Sequence, residues 1–343
     1  MAVIARRLRA SLRGWGGVGA MALALVVTAV FALLLPLSSA RGDGDSDTDT
    51  GGPGVAQGTQ AKADTCTKPQ DQSLTPSGDE SGTTIAAIKQ RGYLSVGVDQ
   101  NSYRWGYRDP NNTAKSSDLE GFDIDLAREI AKEILDNPNA VRFHAIPTNQ
   151  RIPAIKSDQV DMVVRTMTIT CERLKEVAFS APYFLTGQQV LAPKTSGIKG
   201  YDKTLTGKRI CSAAGSTAYD KLSADKKEGR LVSSADISTT VPNQLDCLVR
   251  LQLGQVDAVV TDGALAASQA AQDPTVELKG KTFTEDYYGV AMKLGADDLV
   301  RRVNQVLVDY RKNGGWQASY DKWLSATLKA DSPSATPPTA HYK

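Results

Sequence analysis

Short runs of β-branched and apolar residues alternate with helix-spaced amphipathic segments through the middle of the chain. Tyr93 to Val98 predicts a strand, Phe122 to Leu135 a helix, Val141 to Ile146 a strand, Arg151 to Lys156 a short helix and Val160 to Val164 a buried strand. The pattern restarts with a strand at Arg209 to Ala213 and helices over Ala218 to Leu222 and Thr240 to Leu253. A strand at Val256 to Val260 and a helix at Gly263 to Ala270 follow. Such alternation implies an α/β fold with largely parallel sheets. The two halves share an echo: Gln159-Val-Asp-Met-Val-Val164 and Gln255-Val-Asp-Ala-Val-Val260 each follow an amphipathic helix. Any α/β protein can contain such a unit; the alternative is two similar lobes whose echoed strands end at one mouth. Ligands in open α/β sheets bind beyond the carboxyl ends of strands. That directs attention to Arg165-Thr166-Met167-Thr168-Ile169-Thr170-Cys171-Glu172-Arg173 and to Thr261-Asp262-Gly263.

The ends of the chain break the pattern. Arg6, Arg7, Arg9 and Arg13 precede an apolar run from Val18 to Leu35, followed by Ser38-Ser39-Ala40, so residues 1–40 are expected to be a signal peptide or an N-terminal membrane anchor. Residues 41–82 and 329–343 are poor in apolar side chains and are expected to be a disordered tether and a disordered tail. The folded unit is then expected to span 83–328 and to work outside the cytoplasm, secreted or held at the outer face of the membrane.

Charge narrows the class. With 40 Lys and Arg against 38 Asp and Glu, the net charge of +2 provides no field for nucleic acid. The four cysteines lack the close pairs that bind zinc, and their even number in an oxidising compartment suggests disulfides. No metal or cofactor is expected.

The candidate chemistry is that of a zwitterion site. Arg173 can hold a carboxylate through two parallel bonds, and Asp262 can accept an ammonium. Thr166 and Thr168 supply a carbonyl and a hydroxyl, and the Gly215-Ser216-Thr217 turn opens a helix whose free amides suit an anion. Bland readings stand beside these: Arg173 as a surface arginine next to Glu172, Asp262 as a helix cap alone, Thr168 as a strand-end threonine.

As an ordered set, the motifs resemble the family 3 solute-binding proteins of polar amino-acid ABC transporters. The resemblance rests on Gly121-Phe122-Asp123-Ile124-Asp125-Leu126, Arg151-Ile152-Pro153-Ala154, Asp161, Met167 to Arg173 and Phe179-Ser180-Ala181-Pro182-Tyr183-Phe184. It continues through Ala214 to Thr217, Gln255 to Asp262, and Asn313-Gly314-Gly315-Trp316 with Tyr320, Lys322 and Trp323. Cys171, Cys211 and Cys247 look like those of actinobacterial glutamine- and glutamate-binding members, although no lipid-bearing cysteine follows the apolar run. The resemblance implies a two-lobed periplasmic-binding-protein fold of type II. Lobe one would span 83–187 plus 285–328 and lobe two 188–284, with crossover strands near 187–192 and 276–288.

It also implies roles. The position of Arg173 holds the ligand α-carboxylate with Thr168 and the amides of Ser216 and Thr217, and that of Asp262 takes the ammonium with the Thr166 carbonyl. The position of Arg151 grips a side-chain carboxylate in binders of acidic amino acids, with Arg104 assisting and Trp105 or Tyr103 covering the ligand. Alternatively, Arg151 faces solvent and Arg104 is a loop surface charge. The expected ligand is a small polar amino acid, glutamate or aspartate ahead of glutamine or asparagine, and the expected partner is an ABC permease, with the protein a monomer. Cys211, on the first strand of lobe two, and Cys247, on the helix beside it, are the better disulfide pair; Cys66 and Cys171 remain, and a link from Cys66 to Cys211 or Cys247 would overturn this pairing. Two rivals remain: a sensor ectodomain reading the same ligand, and a dehydratase or hydrolase on the same fold. The latter needs a cleft carboxylate such as Glu172, because His144 lies in a predicted strand and His341 in the tail.

Overall fold

A computed structural model describes residues 66–111, 119–328 and 332–343. The expected signal or anchor segment, the tether up to residue 65 and residues 112–118 of the loop near Arg104 lie outside the described residues.

Two five-stranded sheets organise the chain. The first has the order Val141–Ala145, Leu94–Val98, Met162–Val163, Ala291–Met292, Ala178–Phe179; the second has Asp236–Val241, Arg209–Ala213, Ala258–Asp262, Gln188–Pro193, Val276–Lys279. In each sheet the fourth strand alone runs against its neighbours. Both of these strands arrive from the other lobe, which is why each enters its sheet in the opposite direction.

The crossover is an antiparallel ribbon, Phe184–Thr186 against Asp286–Tyr288. It begins slightly ahead of the segment expected at 187–192, and Gln188–Pro193 and Val276–Lys279 are instead strands of lobe two.

The sequence echo has a physical basis. Asp161 precedes the third strand of lobe one, and its Oδ2 accepts the Ser95 N–H of the first strand at 2.7 Å. Asp257 occupies the same place in lobe two, accepting the Arg209 N–H at 2.8 Å. Each carboxylate fastens the start of the neighbouring strand.

Three expectations need correction. Thr240 and Val241 end a strand, Asp236–Val241, and the helix there is Gln244–Gln252. The alternation over Asp236-Ile-Ser-Thr-Thr-Val has period two, and Pro242 disfavours helical backbone at the residue before it. Residues 66–82 are not a loose tether. Buried Ser73 donates to the Phe179 carbonyl at 2.8 Å, and Asn304 Nδ2 donates to Ser73 Oγ at 2.8 Å and to the Leu74 carbonyl at 2.6 Å. Residues 332–343 also pack: Ser334 Oγ donates to the Leu185 carbonyl of the ribbon at 2.7 Å, and the Lys343 N–H to the Ser73 carbonyl at 3.0 Å. Low apolar content suggested disorder, whereas backbone and hydroxyl hydrogen bonds hold these segments on lobe one.

Disulfides join Cys211 to Cys247 and Cys66 to Cys171. The first is buried inside lobe two, and the second pins the N-terminal segment beside the short helix that carries Arg173. One apolar cluster lies within lobe two, and another fills lobe one and takes in Ala264 and Leu265 of lobe two. In lobe one it includes Trp105, Phe122, Tyr183, Phe184, Tyr288 and Trp316. No helix among the described residues is long and apolar enough to cross a membrane.

Candidate functional site

The site forms where the third strand of each sheet runs out. Beyond Met162–Val163 the chain turns at Thr166, whose φ of 41° lies in the left-handed region that strains a β-branched residue. Asp123, in the first turn of the helix Phe122–Leu135, holds that turn. Its Oδ2 accepts the Thr166 N–H at 3.0 Å and its Oδ1 the Tyr183 hydroxyl at 2.8 Å. Burial pushes the Asp123 carboxyl up to about 7 despite both bonds.

The turn aims two carbonyls at Arg151, which opens the helix Arg151–Lys156 and is only 3% exposed. Its Nη1 donates to the carbonyls of Arg165 and Thr166 at 3.2 and 3.4 Å, and its Nε to the Thr148 carbonyl at 2.9 Å. Arg173 lies on the helix Cys171–Leu174, where Thr170 caps by accepting the Arg173 N–H at 3.2 Å. Its Nη1 donates to the Thr168 carbonyl at 2.7 Å.

Both guanidiniums then reach the same atom of lobe two. Arg151 Nη2 donates to the Gly215 carbonyl at 3.4 Å and Arg173 Nη2 at 3.2 Å. Among the described residues, every hydrogen bond of these two guanidiniums goes to a backbone carbonyl and none to a carboxylate. Burial lowers the pKa of both, and for Arg151 the nearby charges of Arg173 and Arg165 add to the effect. The surface exposure proposed for either arginine as a bland alternative is therefore not met.

Gly215 permits this approach. It has a φ of 73°, and a Cβ there would sit 2.9 Å from Asn149 Cα of lobe one. Next to it, Ser216 caps the helix Thr217–Lys227 by accepting the Tyr219 N–H at 3.2 Å, while its own N–H donates to the Ala213 carbonyl at 3.1 Å. The Ser216 amide, expected to face a ligand, is thus turned back into lobe two. Thr217 remains at the helix start, where first-turn amides have no intrahelical acceptor. Its hydroxyl is 3.5 Å from that of Thr168 across the gap.

Asp262 ends the strand Ala258–Asp262 and stands at the cap position of the helix Gly263–Gln272, but its side chain makes no cap bond. The ribbon satisfies those amides instead: Gly263 N–H donates to the Gly187 carbonyl at 2.7 Å and Ala264 N–H to Thr186 Oγ1 at 3.3 Å. The freed Asp262 carboxylate is buried and accepts the Tyr288 hydroxyl at 2.5 Å. Burial, reinforced by Asp286, pushes it up to about 7, while the Tyr288 bond and the charges of Arg151 and Arg173 oppose the rise.

Residues 94–326 match the bacterial extracellular solute-binding proteins, family 3. The chain belongs to this family. It is 34% identical over 241 residues to the ABC transporter glutamine-binding protein of Bacillus subtilis, covering 70% of this chain and 84% of that one. It is 28% identical over 272 residues to the glutamate-binding protein of Corynebacterium glutamicum, covering 76% and 86%. Among solved structures, an ancestral arginine-binding protein bound to arginine superposes with a TM-score of 0.61 at 34% identity, covering 68% of this chain and 99% of that one.

In this family 3 solute-binding protein the expected residues separate into two groups. Arg151, Thr166, Thr168, Arg173, Thr217 and Asp262 gather at the junction of the lobes, with Ser216 beside them but its amide bonded to the Ala213 carbonyl. Arg104 and Trp105 do not join them. Arg104 Nη1 donates to the Trp323 carbonyl at 3.2 Å and its guanidinium lies over the Tyr103 ring, so it faces the C-terminal helix. Trp105 is wholly buried against Phe122, Phe184 and Tyr288, a core ring lying behind the Tyr288 that meets Asp262. Sequence reasoning missed Asp123, the Gly215 carbonyl, Asp286 and Tyr288. The last two carried a faint signal: they alternate with Tyr287 in the ribbon strand, so both face the same side, and both are buried.

Proposed function

We propose that this protein captures an acidic amino acid, glutamate or aspartate, between its lobes outside the cytoplasm and presents it to an ABC permease, with glutamine and asparagine as weaker ligands. One observation carries the reading: two buried guanidiniums, Arg151 and Arg173, converge from lobe one on the Gly215 carbonyl without a carboxylate hydrogen-bond partner, in the field of the buried Asp262 carboxylate. A buried charge is costly unless paired. A ligand with two carboxylates and one ammonium supplies an anion for each arginine and a cation for Asp262. Glutamine would leave Arg151 without an anion.

Capture proceeds by closure. Lobe one provides the guanidiniums and lobe two the Thr217–Lys227 helix start and Asp262, so only the closed form offers the full set, and the ligand draws the equilibrium toward it. Micromolar affinity requires about 8 kcal/mol, within reach of a few charge-assisted bonds at about 1.5 to 3 kcal/mol each. The glutamine- and glutamate-binding relatives support the ligand class, and the ABC-transporter naming of the Bacillus protein supports the partner. Turnover is disfavoured by the position of Glu172: its carboxylate is exposed and paired with Lys175 at 2.8 Å.

A thermal-shift screen of the twenty amino acids tests the reading. Glutamate and aspartate are expected to stabilise most. Stabilisation by arginine or lysine alone, or by no amino acid, would overturn it.

A further inference from the structure

Beside the guanidinium pair lies a second set of contacts between the lobes, joined to Arg151 only through the backbone carbonyls of Thr148 and Arg165. Arg165, wholly buried at the end of lobe one's third strand, is paired with Asp99 of the same lobe at 2.9 Å. Its Nη1 donates to Thr148 Oγ1 at 3.0 Å, and its Nη2 crosses to lobe two, donating to Asn243 Oδ1 at 3.0 Å. Thr148 crosses as well: its N–H donates to the Pro242 carbonyl at 3.0 Å and its hydroxyl to Gln244 Oε1 at 3.3 Å.

The receiving corner, Pro242-Asn243-Gln244, is where the strand Asp236–Val241 passes into the helix Gln244–Gln252. It is held firmly within lobe two. The Asn243 N–H is taken by Asp246 Oδ2 at 3.2 Å, and Gln269 Nε2 donates to the Gln244 carbonyl at 2.9 Å. Asp99 matches the Arg165 charge, so unlike Arg151 and Arg173 this cluster needs no anion from outside. Its cross-lobe bonds exist only when the lobes meet, whatever lies between them.

We propose that Arg165, Thr148 and Asn243 form a closure latch. They are positioning residues that raise the population of the closed form and so strengthen capture of every ligand by the same factor. The latch rests on the reading that a ligand is held between closing lobes. A ligand's apparent affinity scales with the fraction of protein in the competent state, so loss of the latch weakens binding without altering selectivity.

The test uses the full-length protein with Asn243→Ser, which keeps a good helix cap on a shorter side chain, and Thr148→Val, which removes only the hydroxyl. Small-angle scattering without amino acid is expected to give a larger radius of gyration for both variants. Calorimetry is expected to show affinity for L-glutamate and L-glutamine falling together by about tenfold, as for a hydrogen bond to a charged group. Asn243→Asp, which keeps an acceptor for Arg165, is expected to restore the compact form. An unchanged radius of gyration in both variants overturns the latch, as does a changed glutamate-to-glutamine ratio, which would make these residues ligand contacts. If the unmodified protein binds neither amino acid, the proposed function fails while the scattering comparison still decides the latch.

Discussion

At the scale of single residues, the central feature is the contrast between three buried arginines. Arg165 has Asp99 beside it, whereas Arg151 and Arg173 spend their hydrogen bonds on carbonyls. Arg173→Ala is expected to remove binding of every amino acid in calorimetry, a loss of a hundredfold or more if a charge-assisted pair is broken. Arg151→Ala is expected to cost glutamate and aspartate most; equal losses for glutamate and glutamine would end its assignment to the side-chain carboxylate. Asp123 gives a pH prediction with a definite sign. Its folded pKa of about 7 lies above the ordinary aspartate value, so the stability it contributes is full below about pH 4 and is lost as pH rises toward 7. Chemical denaturation across that window should show the unmodified protein losing on the order of 4 kcal/mol relative to Asp123→Asn. Tyr183, Arg165 and Asp99 are the charged or titratable groups around it.

At the scale of elements, the turn at Gly215 controls how near the lobes come. Gly215→Ala places a Cβ against Asn149 and meets an unfavourable positive φ, so affinity for all amino acids should fall. Gly207→Ala separates the two effects: Gly207 has a φ of 66° with nothing near its hypothetical Cβ, so it should lose stability but keep affinity. The Cys211–Cys247 link ties the strand Arg209–Ala213 to the helix carrying the latch corner, across a sequence separation of 36. Replacing both cysteines by alanine should lower the unfolding free energy by about 3 to 4 kcal/mol in urea titration. Most elements were legible because their periodicity is local. The strand at 236–241 was not, because the consecutive polar residues Ser238, Thr239 and Thr240 interrupt the apolar run that announces a buried strand.

At the scale of the whole molecule, two sheets of matching order are joined by one ribbon, and the segments before and after the lobes fold back onto lobe one. Ligand that binds only the closed form should stabilise the protein by about 2.7 kcal/mol at a hundred times its Kd, with a smaller radius of gyration; stabilisation without compaction would argue against capture by closure.

The sequence alone determined the α/β class, the echo of the two lobes and the main site candidates. These depend on residue spacing, on the chemical type of each side chain and on a motif order that survives without coordinates. Only tertiary structure decided which candidates meet. Arg104 and Arg151 are equally cationic on paper, yet one reaches the Trp323 carbonyl and the other a carbonyl in the opposite lobe. The orientation of a side chain depends on contacts with residues distant in sequence: Tyr288 waiting for Asp262, Asp123 holding the Thr166 turn, Asp99 neutralising Arg165.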